Sequence, residues 1–385
     1  MSDEERLRRW RLVLGGAAGE LADLDADDLR RDSALTALYG GGAAGGGSRG
    51  AGLGNSAPVL HRWLGDVRTY FPASVVRVLQ RDAIDRLGLR KLLLEPELLS
   101  TVEPDVHLVG TLVALAHAIP ERTRQTAREV VRRVVEDVRR RLADRLLSAV
   151  RGAVDHASRT SRPRLADVDW PGTIRANLRH YQPEQRTVVV NTLLGHTRRH
   201  RSAALRDLVL LVDQSGSMAE SVVYAGVFGA VLASLRSVRT RLVVFDTEVV
   251  DLTERLADPV DLLFATQLGG GTDINRAVAY GQSLVRSPAD TVLVLISDLH
   301  EGGAAGELVR RVRELVTSGV TVVVLLALSD GGAPAYDHEL AGTLSALGAP
   351  AFACTPDLFP DLLATALRRE DVAGWAERSG IAVGR

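Results

Sequence analysis

Beyond about residue 205, the hydrophobic residues come in unbroken runs that alternate with amphipathic stretches. The runs are LRDLVLLVD, RLVVFD, TVLVLISD, VTVVVLLALS and PAFACT, and the amphipathic stretches lie at 218–236, 274–286, 304–317, 338–347 and 357–369. Continuous β-branched runs separated by helical patterns indicate parallel strands that are buried on both faces. This part is therefore predicted to be an α/β domain with a doubly wound, mostly parallel sheet. The stretch 244–252, VFDTEVVDL, predicts a strand that turns into a short antiparallel neighbour at the sheet edge.

The region before this sheet has a helical period. From about residue 60 to 158, apolar residues recur at spacings of three and four, which predicts an all-α region. The longest periodic segment begins after Pro120. Residues 40–54, GGGAAGGGSRGAGLG, have little to bury and a high cost of ordering, so a mobile loop is expected there.

A joining region follows the helices and contains the stretch DWPGTIRANLRHY and a strand-like run from Thr187 to Leu194. The predicted organisation is an N-terminal segment at 1–58 with the glycine-rich loop, a helical domain at 59–158, the joining region at 159–204, the sheet domain at 205–370 and a C-terminal tail at 371–385.

Composition narrows the class of protein. The chain has 385 residues, a net charge of -1 and 46% hydrophobic residues, as expected of a globular protein of two or three domains. One cysteine, Cys354, excludes an internal disulfide and a cysteine-built zinc site. The arginine-rich helical segment has no interleaved aromatic residues, so nucleic acid is not the expected partner. The apolar runs are too short to span a bilayer and the N-terminus lacks a secretory signal, which predicts a cytoplasmic protein without a membrane span.

Oxygen-bearing side chains follow three of the predicted strands. Asp213, Ser215 and Ser217 come after the first run, Thr272 lies in LGGGTDIN, and Asp298 ends the run TVLVLISD. Since the carboxyl ends of parallel strands meet at one edge, these groups are expected to lie together. Carboxylates and hydroxyls without nitrogen or sulfur ligands suit a hard cation such as Mg²⁺. Each residue alone has a second interpretation as a helix N-cap.

These motifs resemble a known family. The pattern Asp-x-Ser-x-Ser, the Thr in a Gly-Gly-Thr-Asp loop and the strand-ending Ser-Asp are similar to the metal-ion-dependent adhesion site of von Willebrand factor type A (VWA) domains, over about residues 205–370. A helical N-terminal region joined through DWPGTIRANLRHY to a domain that opens LVLLVDQSGSM resembles, more narrowly, the bacterial CoxE-like group.

The resemblance implies a function as well as a fold. It implies direct contacts to Mg²⁺, or to Mn²⁺ or Ca²⁺, from Ser215, Ser217 and Thr272, with Asp213 and Asp298 holding the ion directly or through water. One coordination position would be left for an Asp or Glu of a partner protein. Asp273, His300 and Glu301 would lie at the rim and adjust the choice of partner, although ordinary loop polarity explains them equally well. The group implies a MoxR-type AAA+ ATPase as the partner.

The expected function is thus a non-enzymatic, Mg²⁺-dependent adaptor that binds protein. The alternative is a Mg²⁺-dependent hydrolase that uses Asp213 for phosphoryl transfer at the same edge. A haloacid dehalogenase-type enzyme needs a second Asp at the position of Ser215, and a serine hydrolase elbow reads Gly-x-Ser-x-Gly, which DQSGS does not. A degenerate site that binds no metal is the third alternative.

Overall fold

The structure is a computed structural model that describes residues 3–14, 23–39, 57–86, 93, 95–157, 159–163, 165, 168–196, 206–266, 270–330 and 335–383. The glycine-rich loop predicted at 40–54 lies outside the described residues. The chain forms two compact units, Met1–Val134 and Val135–Arg385. The five segments assigned from the sequence stay a prediction.

The first unit is helical. Its helices are α1 (Asp3–Leu14), α2 (Ala26–Tyr39), α3 (Ala57–Tyr70), α4 (Ala73–Arg86), α5 (Pro96–Thr101), α6 (Val106–Ala114) and the first part of α7 (Glu121–Ala157). Helix α6 begins at Asp105, whose carboxylate accepts a hydrogen bond from the amide of Leu108 and so caps the helix. Buried side chains recur along α7 at the predicted helical spacing, from Ala127 to Ala153. The helical pattern of this region was therefore predicted correctly.

The second unit contains the rest of α7 and every strand that the structure describes. Its elements are β1 (Arg159–Thr160), α8 (Trp170–Asn177), β2 (Tyr181–Gln182), β3 (Thr187–Val188), β4 (Gly195–His196), β5 (Arg206–Asp213), α9 (Ala219–Ala233), β6 (Val238–Phe245), β7 (Val249–Asp251), α10 (Pro259–Ala265), α11 (Ile274–Ser283), β8 (Thr291–Ile296), α12 (Ala305–Ser318), β9 (Thr321–Leu328), α13 (His338–Ala346), β10 (Ala351–Cys354), α14 (Phe359–Arg368) and α15 (Val372–Arg378).

Six of these strands form one twisted sheet in the order β10-β9-β8-β5-β6-β7. All neighbours are parallel except β7, which pairs with β6 in the antiparallel direction. This confirms the predicted doubly wound α/β fold and the short antiparallel edge strand. Strand β5 lies inside the sheet, between β6 and β8. The chain forms β6 on one side of β5 first and returns later to form β8 on its other side.

Helices cover both faces of the sheet. One face packs β5, β8 and β9 against α11, α12 and α13 in a continuous buried cluster. On the other face lie α9 and α14, whose Phe228 and Phe359 rings stack with centroids 4.8 Å apart. The stretch Gly216–Ala233 is long and apolar enough to cross a membrane, but 67% of it is buried in the protein, as in a core helix. The continuous apolar runs of the sequence are explained by this two-sided burial.

The joining region contains less strand than expected. A strand was predicted from Thr187 to Leu194, whereas β3 ends at Val188. Beyond it, the amides of Asn191 and Thr192 donate to the side chain of Asn177 in α8, at 3.0 and 3.1 Å. The prediction of a continuous strand was wrong because a buried side chain, and not a neighbouring strand, accepts from these amides.

The packing of α11 on the sheet gives a test of the fold. A Cβ atom at Gly281 would lie 3.0 Å from Leu211 Cδ1 and 3.3 Å from Leu293 Cδ1. Gly281→Ala should therefore lower the free energy of unfolding by about 1–3 kcal/mol, despite the better helix propensity of Ala. Gly306→Ala in α12 is the matched control, because no described atom lies within 4 Å of its Cβ position. Urea denaturation should show the control unchanged or stabilised by up to about 1 kcal/mol. Equal shifts in both variants would contradict this packing.

Candidate metal centre

The parallel register brings the ends of three strands to one edge of the sheet. Asp213 pairs with Phe245 at the end of β6, and Val212 pairs with Ile296 at the end of β8. The residues that follow β5 and β8 therefore begin side by side. Asp298, two positions beyond β8, is placed next to the turn that follows Asp213.

Asp213 is the innermost group at this edge and is fully buried, with 0% of its surface exposed. One carboxylate oxygen accepts from the amide of Ser215 at 2.8 Å, and the other accepts from the hydroxyl of Ser297 at 2.7 Å. Burial raises the pKa of Asp213 above its usual range, and the nearby charge of Asp298 adds to this effect. The two hydrogen bonds act in the opposite direction without cancelling it. The folded protein therefore holds this carboxylate at a cost that a cation would reduce.

The two serine hydroxyls lie between the carboxylates and solvent. The Oγ atoms of Ser215 and Ser217 are 3.2 Å apart, and Ser217 donates to Asp298 Oδ2 at 2.6 Å. Asp298 is buried while Ser217 is exposed, so the cluster has an inner carboxylate side and an outer hydroxyl side. No side-chain cap hydrogen bond is made at the start of the 216–218 turn or of α9. The capping interpretation therefore does not account for these two serines.

Thr272 is placed by its backbone. Its carbonyl accepts from the amide of Gly302 at 2.8 Å, which ties its loop to the loop after Asp298. The next residue, Asp273, donates its amide to the carbonyl of Asp246, at the end of β6. A Cβ atom at Gly302 would lie 2.7 Å from the carbonyl oxygen of Thr272, so only glycine allows this approach. The structure thus brings the Thr272 loop beside the Asp298 loop.

The three predicted rim residues have structural contacts. Asp273 accepts from the amide of Arg276 and caps α11. Glu301 accepts from the amides of Asn275 and Gly303, and its pKa is raised by burial and by the charge of Asp273. A ring nitrogen of His300 lies 3.0 Å from the carbonyl oxygen of Ala335. The role of these three residues in partner choice stays a prediction. The carboxylates of Asp273 and Glu301 accept hydrogen bonds from amides in the first turn of α11 and so stabilise the start of that helix.

Two residues at this edge were not found from the sequence. Ser297 donates its hydroxyl to Asp213 and accepts from the amide of Leu299, so it links the ends of β5 and β8. Leu299 is buried and has a φ of 64°, an unusual conformation for a residue with a side chain. The Ser-Asp pair in LISDLH was the signal in the sequence for Ser297. No pattern in the sequence pointed to Leu299.

The donor set fits a hard divalent cation. The hydroxyls of Ser215 and Ser217 and the carboxylate of Asp298 are linked by contacts of 3.2 Å or less, and Asp213 joins them through the amide of Ser215. A third hydroxyl residue, Thr272, lies in the adjoining loop. Across the described residues, no group of three or more His, Cys, Asp or Glu side chains is placed to hold a metal. An ion at this edge would therefore depend on hydroxyl oxygens as well as carboxylates, and Mg²⁺ accepts such a set with water completing its shell.

The sequence is similar to a known family and to a protein of Escherichia coli. The sequence model of the family described as "VWA domain containing CoxE-like protein" matches residues 137–363. The chain is 38% identical over 365 residues to "Uncharacterized protein YehP" of Escherichia coli (strain K12), which covers 94% of this chain and 97% of that protein.

Two solved structures are similar over part of the chain. They are an aerotolerance-related membrane protein from Bacteroides fragilis NCTC 9343, with a TM-score of 0.32, and the conserved hypothetical protein BatB from Bacteroides thetaiotaomicron, with a TM-score of 0.33. Each is 14% identical and covers 44% of this chain and 98% of its own.

The buried carboxylate of Asp213 predicts a pH dependence of stability. Because its pKa is raised in the folded state, ionisation opposes folding once the pH exceeds about 3.9, the usual pKa of an unfolded aspartate. With EDTA present, Asp213→Asn should be at least as stable as the parent at pH 7. The difference in unfolding free energy between variant and parent should grow as the pH rises from about 3.9 to the raised pKa of Asp213 in the folded protein. Asp207→Asn, on the same strand, is the control and should lose stability because Asp207 pairs with Arg239 at 3.3 Å. Thermal unfolding from pH 4 to 8 measures the stability of both variants. An Asp213→Asn variant that is less stable than the parent at pH 7 would contradict the raised pKa of Asp213 in the folded protein.

Proposed function

The chain belongs to the family of VWA domain-containing CoxE-like proteins, and we propose that its sheet edge binds Mg²⁺ to capture an acidic side chain of a partner protein. The protein would then act as a non-enzymatic adaptor. Asp213, Ser215, Ser217, Thr272 and Asp298 would hold the ion. When bound, Mg²⁺ supplies a positive centre that a carboxylate of the partner completes.

The observation that carries this proposal is the position of Ser217. Its hydroxyl contacts both Ser215 and the carboxylate of Asp298, and it is exposed while the carboxylates are buried. Asp213 and Asp298 would hold a cation here from the buried side, and the hydroxyl of Ser217 would hold it from the exposed side. A partner's Asp or Glu would approach from the hydroxyl side and meet the ion there.

The buried state of Asp213 also favours binding over catalysis. A nucleophilic aspartate in phosphoryl transfer must present a free oxygen to its substrate. Both oxygens of Asp213 accept hydrogen bonds from inside the protein, and none of its surface is exposed. A buried carboxylate can lend its charge to an ion directly or through water, whereas the hydrolase alternative requires one of these oxygens to be freed and exposed to a substrate.

The proposed partner is a MoxR-type AAA+ ATPase, and the proposed setting is the cytoplasm. Both proposals rest on the resemblance to the CoxE-like family. Asp273, His300 and Glu301 are proposed to adjust the choice of partner, since Asp273 and Glu301 place negative charge beside the site. A partner would have to direct its acidic group to the ion and keep basic groups toward this rim.

Metal binding is the first test. Calorimetric titration of the full chain with MgCl₂ should show one site, which Asp213→Ala abolishes because the inner carboxylate is lost. Gly302→Ala should weaken binding without removing any oxygen ligand, since its Cβ would push the Thr272 loop away from the Asp298 loop. Asp207→Asn, at the opposite end of β5, should bind as the parent does. Unchanged binding in Asp213→Ala would show that the ion is held elsewhere.

Partner capture is the second test. In pull-down experiments with a MoxR-type ATPase of the same organism, the parent should retain the ATPase in Mg²⁺ and release it in EDTA. Ser217→Ala should reduce retention at least about tenfold, because it removes a proposed ligand of the ion. Its free energy of unfolding should fall by about 1–3 kcal/mol, since the buried carboxylate of Asp298 loses the hydrogen bond from Ser217. Equal retention in EDTA, or Mg²⁺-dependent hydrolysis of p-nitrophenyl phosphate that Asp213→Asn abolishes, would contradict the adaptor function.

A further inference from the structure

The joining region carries an exposed apolar surface. Trp170 and Ile174 in α8, and Leu178 in the turn that follows, recur every fourth residue and so lie on one side. Tyr181 in β2 and the pair Val189–Val190 after β3 are exposed as well. We name these six side chains the apolar stripe, and each of them is 40–55% exposed. A cluster of large apolar side chains in water is typical of an interaction site.

The two parts of the apolar stripe are held next to each other. The chain reverses in the turn between β2 and β3 and then runs back toward α8. The amide of Val189, just after β3, donates to the carbonyl of His180 at 3.2 Å. At the other end of α8, the amide of Asp169 donates to the carbonyl of Leu194 at 2.9 Å. The valine pair therefore adjoins the end of α8 that carries Leu178.

A buried side chain fixes this returning segment. Asn177 donates to the carbonyls of Thr173 and Thr192, at 2.7 and 2.8 Å, and its side-chain oxygen accepts from the amides of Asn191 and Thr192. The hydroxyl of Thr173 adds two bonds to the backbone of Leu194. The segment is thus ordered without a strand partner. A surface ordered in advance loses less conformational entropy when it binds.

The charges beside the apolar stripe indicate what it binds. A groove of about 350 Å³ lies along α8 and is lined by residues that include Asp169, Arg175 and Leu194. The carboxylate of Asp169 accepts a hydrogen bond from the amide of Gly172 at 3.0 Å. Arg175 in this groove and Arg186 in the turn between β2 and β3 are exposed and form no ion pair with any described residue. An acidic group entering the groove or passing the turn would meet an unpaired guanidinium, which binds carboxylates in a bidentate manner.

We infer that residues 168–196 form a second docking surface, which binds an acidic amphipathic segment of a partner protein independently of the metal centre. The apolar side chains of the partner cover the apolar stripe, and its carboxylates pair with Arg175 and Arg186. The sequence of this region holds three arginines against two carboxylates, and one of these carboxylates, Asp169, caps α8. So weak a positive charge does not favour nucleic acid or an anionic membrane, whose attraction depends on many cations.

Matched synthetic peptides test this inference. Two helical peptides share the same leucine positions and differ only in having Glu or Lys at every polar position. Fluorescence anisotropy with the full chain in EDTA should show the Glu peptide binding at least about tenfold more tightly than the Lys peptide. Asp213→Ala should bind it as tightly as the parent does. Equal affinities, or no measurable binding of the Glu peptide, would overturn the inference.

Variants then locate the surface. Arg175→Glu with Arg186→Glu should reverse the preference between the peptides, and Ile174→Ser with Leu178→Ser should weaken the Glu peptide at least about tenfold. Asn177→Ala should weaken binding of the Glu peptide, because the segment after β3 loses its hydrogen bonds to Asn177. Every side chain of the apolar stripe remains in this variant. Val250→Ser in β7 is the control, since Val250 is equally exposed at the sheet edge, and it should change nothing. An unchanged preference after the charge reversal would overturn the inference. So would a dimer of the parent in sedimentation that Ile174→Ser dissociates, because the occupant would then be a second copy of this chain.

Discussion

The carboxylate of Asp213 is a charge held inside the protein at the end of the central strand. Removing an ionised group from water is costly unless hydrogen bonds or an opposite charge replace the water. The amide of Ser215 and the hydroxyl of Ser297 donate hydrogen bonds that replace part of the lost water. The raised pKa of Asp213 indicates that this replacement is incomplete. The hydroxyls of Ser215 and Ser217 lie on the outer side of this buried charge, where the proposed ion would be held.

The remaining features of the edge follow from keeping several oxygens near this carboxylate. The oxygen groups come from three loops, the first of which carries Asp213, Ser215 and Ser217, and a backbone hydrogen bond joins the Thr272 loop to the Asp298 loop. The carbonyl of Thr272 accepts from Gly302, and the amide of Asp273 donates to the carbonyl of Asp246. Glycine at 302 is needed because a side chain would separate two of these loops. The sheet register places the starts of the loops after β5 and β8 side by side, and the contact at Gly302 holds the Thr272 loop beside the Asp298 loop.

Much of this arrangement could be predicted from the sequence, because the signals are local. Continuous apolar runs identified the strands, and polar side chains directly after β5 and β8 identified the edge where they meet. What failed depended on contacts between distant residues. The run Thr187–Leu194 looks like a strand, but Asn177, ten residues earlier, binds its amides. Ser297 and Leu299 were missed because only the folded register shows that one reaches Asp213 and that the other adopts a left-handed conformation.

The two proposed surfaces differ in the physical source of their affinity. At the metal centre, affinity comes from one charge-assisted contact, so it depends on the ion and disappears with a chelator. On the apolar stripe, affinity comes from buried area and preorganised backbone, with two arginines providing selectivity. A partner that engages both surfaces gains an effective concentration for the second contact once the first has formed. Weak binding at each surface is then sufficient for a stable complex, and loss of the ion releases a partner that neither surface holds alone.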